Sequence, residues 1–214
     1  MSGRLLGWLT LVSVVSAIGF ASRFAGGKPP RNALFHYSTA ASELVVFGII
    51  LGVVLLIARG PGFCDRLGLR RAASWRRAGG IAGGVLLGVY ALNALLDPLL
   101  HPGREQGLTP SGWQHGQAGA FAANVVAFAI VGPVIEELTF RGLGFGLLAR
   151  YGNAVAILGL GLAFGLWHGL VQALPVLTAF GVGLAYLRSR TGSVYPGIAL
   201  HAAFNAIALT VAVT

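Results

Sequence analysis

The sequence predicts an all-α protein, a polytopic bundle of about seven transmembrane helices. Hydrophobic residues make up 56% of the chain and charged residues only 10%, whereas charged residues make up about 25% of soluble domains. A soluble fold of 214 residues cannot bury so much apolar surface, so lipid must solvate part of it. The 33 glycines are also typical of transmembrane helices, which associate through close backbone packing.

A transmembrane helix needs about 20 mostly apolar residues, and seven stretches of the sequence have this character. They are Leu5–Ser22, Ala40–Ala58, Gly79–Leu100, Ala118–Leu138, Asn153–Leu170, Leu174–Leu187 and Val194–Val213. The sixth is short and the fourth has an apolar continuation through Leu148, so the pattern leaves room for an eighth helix or a re-entrant segment. We predict that residues 1–214 form a single integral membrane domain.

The first stretch has two features of a signal peptide, because Arg4 precedes its apolar run and small residues follow. The run is longer than the roughly 7–15 apolar residues of a signal peptide, and further apolar stretches follow it. We therefore expect a retained transmembrane helix.

The positive charge is concentrated in one loop. The net charge is +9, and six of the fifteen basic residues lie between Arg59 and Arg77, with apolar stretches on both sides. This pattern is typical of a cytoplasmic loop against anionic lipid, and no nucleic-acid recognition motif accompanies it. We expect a lipid bilayer and no nucleic acid as partner. Counting basic residues by alternate loops predicts that the amino terminus is inside and the carboxyl terminus outside.

Glycines recur four residues apart in two stretches, at Gly80, Gly84 and Gly88 and again at Gly161, Gly165 and Gly169. This spacing lets helix backbones approach closely. We expect both sets to serve helix packing and not chemistry.

Two adjacent carboxylates, Glu136 and Glu137, lie within an apolar stretch. A carboxylate at bilayer depth costs at least a few kcal/mol and usually serves function. Arg141 lies four residues after Glu137 on the same helical face, so a buried ion pair that locks helix packing explains this pair. Glu136 has no such partner in its own helix, and it is therefore the stronger functional candidate.

Three further polar residues follow in apolar stretches: His168, His201 and Asn205. The last two are four residues apart and share one helix face. Each alone is compatible with a hydrogen bond between helices worth about 1 kcal/mol, but with Glu136 they predict a shared site. At 1.5 Å per residue, Glu136 and His168 lie about 21 and 22 Å from the inner face. His201 lies only about 10 Å deep, so it needs a kink, a tilt or a deeper helix start to join them.

These residue types can hydrolyse an amide without a covalent nucleophile. A carboxylate takes a proton from water while a histidine assists or protonates the leaving amine. A histidine and an asparagine that donate to the oxyanion stabilise it by about 3–4 kcal/mol per donor. The alternative is a Zn²⁺ ion bound by Glu136, His168 and His201 with an open fourth position. The sequence lacks His-Glu-x-x-His, and it lacks Gly-x-Ser-x-Gly for serine catalysis.

Three sequence blocks stand in a fixed order: Glu136-Glu137-Leu-Thr-Phe-Arg141, Phe164-Gly-Leu-Trp-His168 and His201-Ala-Ala-Phe-Asn205. With them the chain resembles the CAAX protease and bacteriocin-processing family (CPBP, or Abi) of intramembrane proteases. The resemblance covers roughly residues 121–207, within a family-like catalytic core at about 118–213.

The resemblance implies roles for the six residues. Glu136 is the general base that activates water, and His168 assists it. His201 and Asn205 form the oxyanion hole. Glu137 and Arg141 orient or balance the site. Older descriptions of the family call it a metalloprotease, but the residue types favour a metal-free mechanism without a cofactor.

The implied function is an intramembrane endopeptidase that cleaves a membrane-associated peptide or protein tail. The short chain, rich in Gly, Ala and Arg, resembles bacterial members, which implies a bacterial inner (plasma) membrane. One alternative is a non-enzymatic immunity or scaffold membrane protein that uses the fold to bind a partner. Another is a proton-coupled transporter, in which membrane Glu and His relay protons, although the sequence shows no internal repeat.

Overall fold

The computed structural model describes residues 2–26, 32–102, 105, 110 and 112–213. These residues form helices and connections, with no strand among them. The helices are α1 (Gly3–Phe24), α2 (Tyr37–Ala58), α3 (Phe63–Arg66), α4 (Trp75–Leu100), α5 (His115–Tyr151), α6 (Asn153–Trp167), α7 (Leu174–Thr191) and α8 (Tyr195–Val211). The predicted all-α helical bundle is confirmed.

Each of the seven predicted stretches forms a helix. Within the described ranges, α1, α2, α4 and α5 are long and apolar enough to cross a membrane, while α6 and α8 are apolar but shorter. Helix α7 carries Arg188 and Arg190 in its last turn, which makes its end polar. The four-residue helix α3 lies in the basic loop and is too short to be the eighth transmembrane helix for which the pattern left room.

Helix α5 widens from α-helical to π-helical winding at two places. An α-helical segment, Ala118–Val125, widens to a π-helix at Val126–Val131, and a second π-helical segment covers Leu138–Gly144. Between them lies one short α-helical segment, Gly132–Glu137. The predicted continuation of this helix through Leu148 is confirmed. Wide π-helical turns occur frequently at functional sites, and here they flank the two adjacent carboxylates.

Helix α1 packs into the core through Trp8, which is only 1% exposed. Its indole Nε1 donates to the backbone oxygen of Thr139 at 2.9 Å, and its ring lies edge-on to Phe140 with 6.3 Å between centroids. Gly144 makes room for the indole, because a Cβ there would lie 2.7 Å from the Trp8 ring. The first helix is thus part of the core around α5.

The glycines of α6 allow close packing, as predicted. A Cβ at Gly161 would lie 2.9 Å from the backbone nitrogen of Val182, and one at Gly165 would lie 3.2 Å from that of Thr178. Both neighbours belong to α7, so α6 and α7 meet almost backbone to backbone. Gly169 packs instead against α1.

The packing prediction was wrong for the glycines of α4. Within the part of the chain that the structure describes, a Cβ at Gly80, Gly84 or Gly88 would meet nothing within 4 Å. Helix α4 uses another face, on which Val85 fits against Gly183 of α7. Glycines four residues apart allow another helix to approach closely, but a neighbouring helix must also lie on that face.

The basic loop is folded against the ends of neighbouring helices. Arg4 donates to the backbone oxygens of Ile57 and Arg59 at the end of α2, and Arg66 donates to that of Arg59 as well. Across the loop, Arg70 Nε donates to Gly192 at 2.6 Å, just after α7. Guanidinium groups near helix carboxyl ends satisfy the last carbonyl groups and stabilise the helix dipole. Part of the charge expected to face lipid therefore caps helices.

Candidate active site

The two adjacent carboxylates occupy different environments. Glu137 has no exposed side-chain surface, and its Oε1 accepts a hydrogen bond from Arg141 Nη1 at 2.9 Å. The Glu136 side chain keeps 11% of its surface exposed. The predicted ion pair of Glu137 with Arg141 is confirmed, and Glu136 is left outside it.

Arg141 links three helices. Its Nη2 donates to the backbone oxygen of Gly181 in α7 at 2.8 Å, and its guanidinium carbon lies 4.6 Å from the ring centroid of Phe164 in α6. The backbone oxygen of Arg141 also accepts a hydrogen bond from Arg188 Nε at 2.8 Å. The buried pair therefore fixes α5 against α6 and α7, which is the packing role that the sequence predicted for it.

His201 lies between the two carboxylates. Its Nδ1 is 3.2 Å from Glu137 Oε1, and its Nε2 is 3.7 Å from Glu136 Oε2. Because an ionised carboxylate only accepts hydrogen bonds, Nδ1 donates to Glu137. The rings of Phe164 and Phe180 close the other sides, with centroids 5.5 and 5.3 Å from the imidazole. One imidazole thus contacts both members of the acidic pair.

The start of α8 is buried against the basic loop. Ser193 and Val194, just before the helix, are fully buried, and the Val194 N–H donates to the backbone oxygen of Gly68 at 3.1 Å. Gly197 lies so close to the cluster that a Cβ there would be 2.5 Å from Glu137 Oε2. Helix α8 therefore begins packed within the protein, and the structure brings His201 to the two carboxylates although the rise of 1.5 Å per residue along separate helices placed them at different depths.

His168 stands at the carboxyl end of α6. Its Nδ1 is 2.8 Å from the backbone oxygen of Phe164, and the two rings lie 4.8 Å apart. Since the carbonyl can only accept, Nδ1 carries the proton in the neutral ring and Nε2 carries the lone pair. Phe164 contacts both His168 and His201. Among the described residues His168 makes no direct hydrogen bond to the carboxylates, and Phe164 connects it to His201.

Asn205 lies one turn after His201 on α8. Its Nδ2 donates to the backbone oxygen of Phe128 at 2.8 Å, in the first π-helical segment of α5. A side-chain amide carries two N–H donors, so one remains for another acceptor. The structure thus joins Glu136, Glu137, Arg141 and His201 directly, while His168 and Asn205 border this cluster.

Sequence reasoning missed several contacts of the site. The backbone oxygens of Gly181 and Phe128 hold Arg141 and Asn205, and every residue has such an oxygen, so no sequence signal marks them. Phe180, which stacks on Phe204 at 4.4 Å and faces His201, looks like any other apolar residue of α7. Phe164 could have been found, because it opens the Phe-x-x-x-His block.

The described residues do not fit the predicted alternative of a zinc ion. Among them, no group of three or more His, Cys, Asp or Glu side chains is placed to hold a metal. Both nitrogens of His201 face carboxylates, and His168 Nδ1 faces a backbone oxygen. The proposed ligands Glu136, His168 and His201 therefore do not converge on one point.

Comparison with known proteins bears on this site. Residues 118–207 match the family model described as type II CAAX prenyl endopeptidase Rce1-like. A relative from Bacillus subtilis (strain 168), named "Putative membrane peptidase YdiL", is 28% identical over 201 residues, which cover 87% of this chain and 77% of the relative. No solved structure gives a significant match.

The matched segment contains all three sequence blocks, so the resemblance to the CPBP family is confirmed, and the relative found is bacterial. The helical bundle and the four long apolar helices of the described ranges define an integral membrane protein. Together with the two matches, they support assignment to the class of membrane peptidases.

Proposed function

We propose that the protein is an intramembrane endopeptidase that hydrolyses a peptide bond in a membrane-associated peptide or protein tail, with water activated by Glu136. The observation that carries the proposal is the contact of His201 with both Glu136 and Glu137 in a buried cluster. A carboxylate, an imidazole and a second carboxylate in contact resemble the base, donor and orienting group of other hydrolytic sites.

Glu136 is the better general base of the two carboxylates. Glu137 Oε1 already accepts from Arg141 and His201, and the side chain has no exposed surface. Glu136 lies at the edge of the cluster and keeps part of its surface accessible. In the proposed step its carboxylate takes a proton from water while the water oxygen bonds to the carbonyl carbon of the substrate.

His168 serves the proton transfer in this proposal. The hydrogen bond to Phe164 fixes its ring and leaves the lone pair on Nε2. This atom can assist removal of the water proton and later return a proton to the leaving amine as the C–N bond breaks.

His201 and Asn205 form the oxyanion hole in this proposal. They lie one turn apart on one face of α8. Asn205 has a second N–H beside the one bound to Phe128, and His201 donates from Nε2 when its ring carries a proton on both nitrogens, with Nδ1 held by Glu137. Donors placed before the reaction stabilise the developing oxyanion without reorganisation. Glu137 holds the His201 ring, and Arg141 balances the charge of Glu137.

The remaining parts of the proposal concern cofactor and location. We propose a metal-free reaction, supported by the lack of a convergent ligand set among the described residues. We also propose a bacterial inner membrane with the amino terminus inside. The separation of the basic loop from Arg23, at the opposite end of α1, supports this orientation, whereas Lys28, Arg31 and Arg104 lie outside the described residues.

The experiment compares membrane-protein termini in cells that carry the wild type, Glu136→Gln or no copy of the chain. We expect a small set of peptides or protein tails to stay uncleaved in both deficient strains. Asp97→Asn removes an exposed carboxylate at the end of α4 and should process them like the wild type. Equal termini in the wild type and Glu136→Gln at equal expression would instead support the immunity or scaffold protein.

A further inference from the structure

Outside the catalytic cluster, one acidic side chain in the connection between α4 and α5 is completely buried. The Glu105 side chain has no exposed surface and pairs with Arg23 Nη2 at 2.5 Å. Its Oε1 also accepts the backbone N–H of Val171, and its Oε2 accepts that of Ala173, both at 2.8 Å. A single carboxylate therefore joins the end of α1 to the loop between α6 and α7.

This loop begins at a proposed catalytic residue. His168 ends α6, and Gly169 follows with φ +63°, a left-handed conformation that glycine adopts without strain. A Cβ at Gly169 would lie 2.5 Å from the backbone carbon of Gly19 in α1. Gly19 and Arg23 are four residues apart, so they share one face of α1. This face of α1 contacts the loop directly at Gly19. At Arg23 the contact is indirect and runs through Glu105.

The carboxylate satisfies groups that have no other partner in a regular helix. The first N–H groups of a helix lack intrahelical acceptors and carry partial positive charge, and Ala173 immediately precedes α7. Removal of Glu105 would leave two N–H groups and a guanidinium without their acceptor, which costs more than the net gain of an ordinary hydrogen bond.

We propose that Glu105 is a positioning residue for His168: it holds the loop that follows this residue and thereby keeps the imidazole in the orientation that proton transfer requires. The proposal rests on the proposed function, because it assigns His168 a part in proton transfer. It adds a residue outside the three sequence blocks, on a connection that precedes the matched segment. Misplacement of a catalytic group by about 1 Å can lower the rate about a hundredfold. A small shift of the loop that follows His168 can therefore slow turnover, although Glu105 lies outside the catalytic cluster.

The contact itself is tested by amide hydrogen exchange of the purified protein in lipid nanodiscs. Glu105→Gln keeps the size of the side chain but turns an N–H group toward one of the two loop N–H groups. We expect exchange at Val171 and Ala173 to rise by about tenfold, with no change in Asp97→Asn. Unchanged exchange in Glu105→Gln and in Glu105→Ala would overturn the proposal.

The functional part is tested by a double-mutant cycle with His168, using a membrane peptide that stays uncleaved in cells without the chain. We expect Glu105→Gln to lower kcat by about tenfold while KM changes less than about twofold. In a His168→Ala background, single-turnover rates should differ by less than about twofold with and without Glu105→Gln. Arg23→Lys keeps the ion pair and should retain most of the activity.

The outcomes separate the two proposals. An equal fold-loss from Glu105→Gln in both backgrounds would show a general structural role and overturn the inference, while the proposed function would stand. A wild-type rate in His168→Ala would remove the assisting role of His168, and with it the inference. A wild-type rate in Glu136→Gln would contradict the proposed function itself, whatever Glu105 does to exchange at the loop.

Discussion

His201 Nδ1 lies 3.2 Å from Glu137 Oε1, although the two residues are 64 positions apart in the chain. Glu137 also accepts from Arg141, so one carboxylate orients the imidazole and is neutralised by a guanidinium at the same oxygen. This arrangement assigns the adjacent acidic residues separate tasks. Glu137 is held in the ion pair, whereas Glu136 keeps 11% of its side-chain surface exposed, as the proposed general base requires.

Glu137→Gln should destabilise the protein and abolish cleavage. The change leaves the buried guanidinium of Arg141 without its counter-charge, which typically costs about 3–5 kcal/mol. Thermal unfolding in nanodiscs measures the loss. Glu136→Gln serves as the matched control, because Glu136 lies outside the ion pair. The free energy of unfolding of this variant should lie within about 1 kcal/mol of the wild-type value. Equal unfolding temperatures of Glu137→Gln and Glu136→Gln would contradict the separate roles of the two carboxylates.

Gly197→Ala should reduce activity with little effect on folding. A Cβ at this position would lie 2.5 Å from Glu137 Oε2, so the carboxylate must shift and His201 with it. We expect kcat to fall by about tenfold. Gly159→Ala is the control, since its Cβ would meet Leu148 Cδ1 at an ordinary 3.6 Å. Similar kcat values for the two variants would show that the close approach of α8 is unimportant.

Trp8→Phe should weaken the attachment of α1 to the second π-helical segment. A six-membered ring remains, but the five-membered part of the indole and the N–H that donates to Thr139 are lost, and the lost hydrogen bond together with the small cavity costs about 1–3 kcal/mol. Trp75→Phe is the matched control, because Trp75 is 55% exposed. This variant should keep the unfolding temperature of the wild type. The unfolding temperatures of the two variants decide the question, and equal values would argue against this hydrogen bond.

Asn205→Ala should lower kcat more than it raises KM. Removal of an oxyanion donor typically costs about 10²–10³ in kcat, whereas the lost bond to Phe128 alone costs about 1 kcal/mol of stability. Steady-state kinetics on protein whose folded amount has been measured separates the two effects. A variant that is less stable but keeps its kcat would leave Asn205 with a structural role only.

Chelation should not change the reaction. Because the candidate ligands do not converge among the described residues, purified protein should contain less than stoichiometric zinc and keep its rate after dialysis against a chelator. Metal analysis and cleavage rates on the same sample check this. Stoichiometric zinc whose removal stops cleavage would restore the alternative mechanism.

Much of the fold and half of the site followed from local sequence rules. Hydropathy predicted the helices, and four-residue spacing predicted both the Glu137–Arg141 pair and the shared face of His201 and Asn205. The other contacts depend on where helices begin and what lies opposite. Backbone oxygens hold Val194 and Asn205, and no sequence pattern marks them.

Two failures share one physical cause. The depth estimate counted residues along straight helices, and the glycine rule assumed a neighbour beside Gly84. The burial of the Glu105 side chain against Arg23 is a third contact that no local pattern predicts. Tertiary packing decides all three, and it requires contacts between residues that are distant in the chain.

The central claim is that Glu136 activates water for peptide-bond hydrolysis. The most direct measurement compares purified wild type and Glu136→Gln in proteoliposomes, at equal folded amounts, with mass spectrometry of a membrane peptide identified from the cellular comparison. We predict that the wild type releases two fragments and that Glu136→Gln releases them at least about a hundredfold more slowly. Equal rates of fragment release would contradict the account.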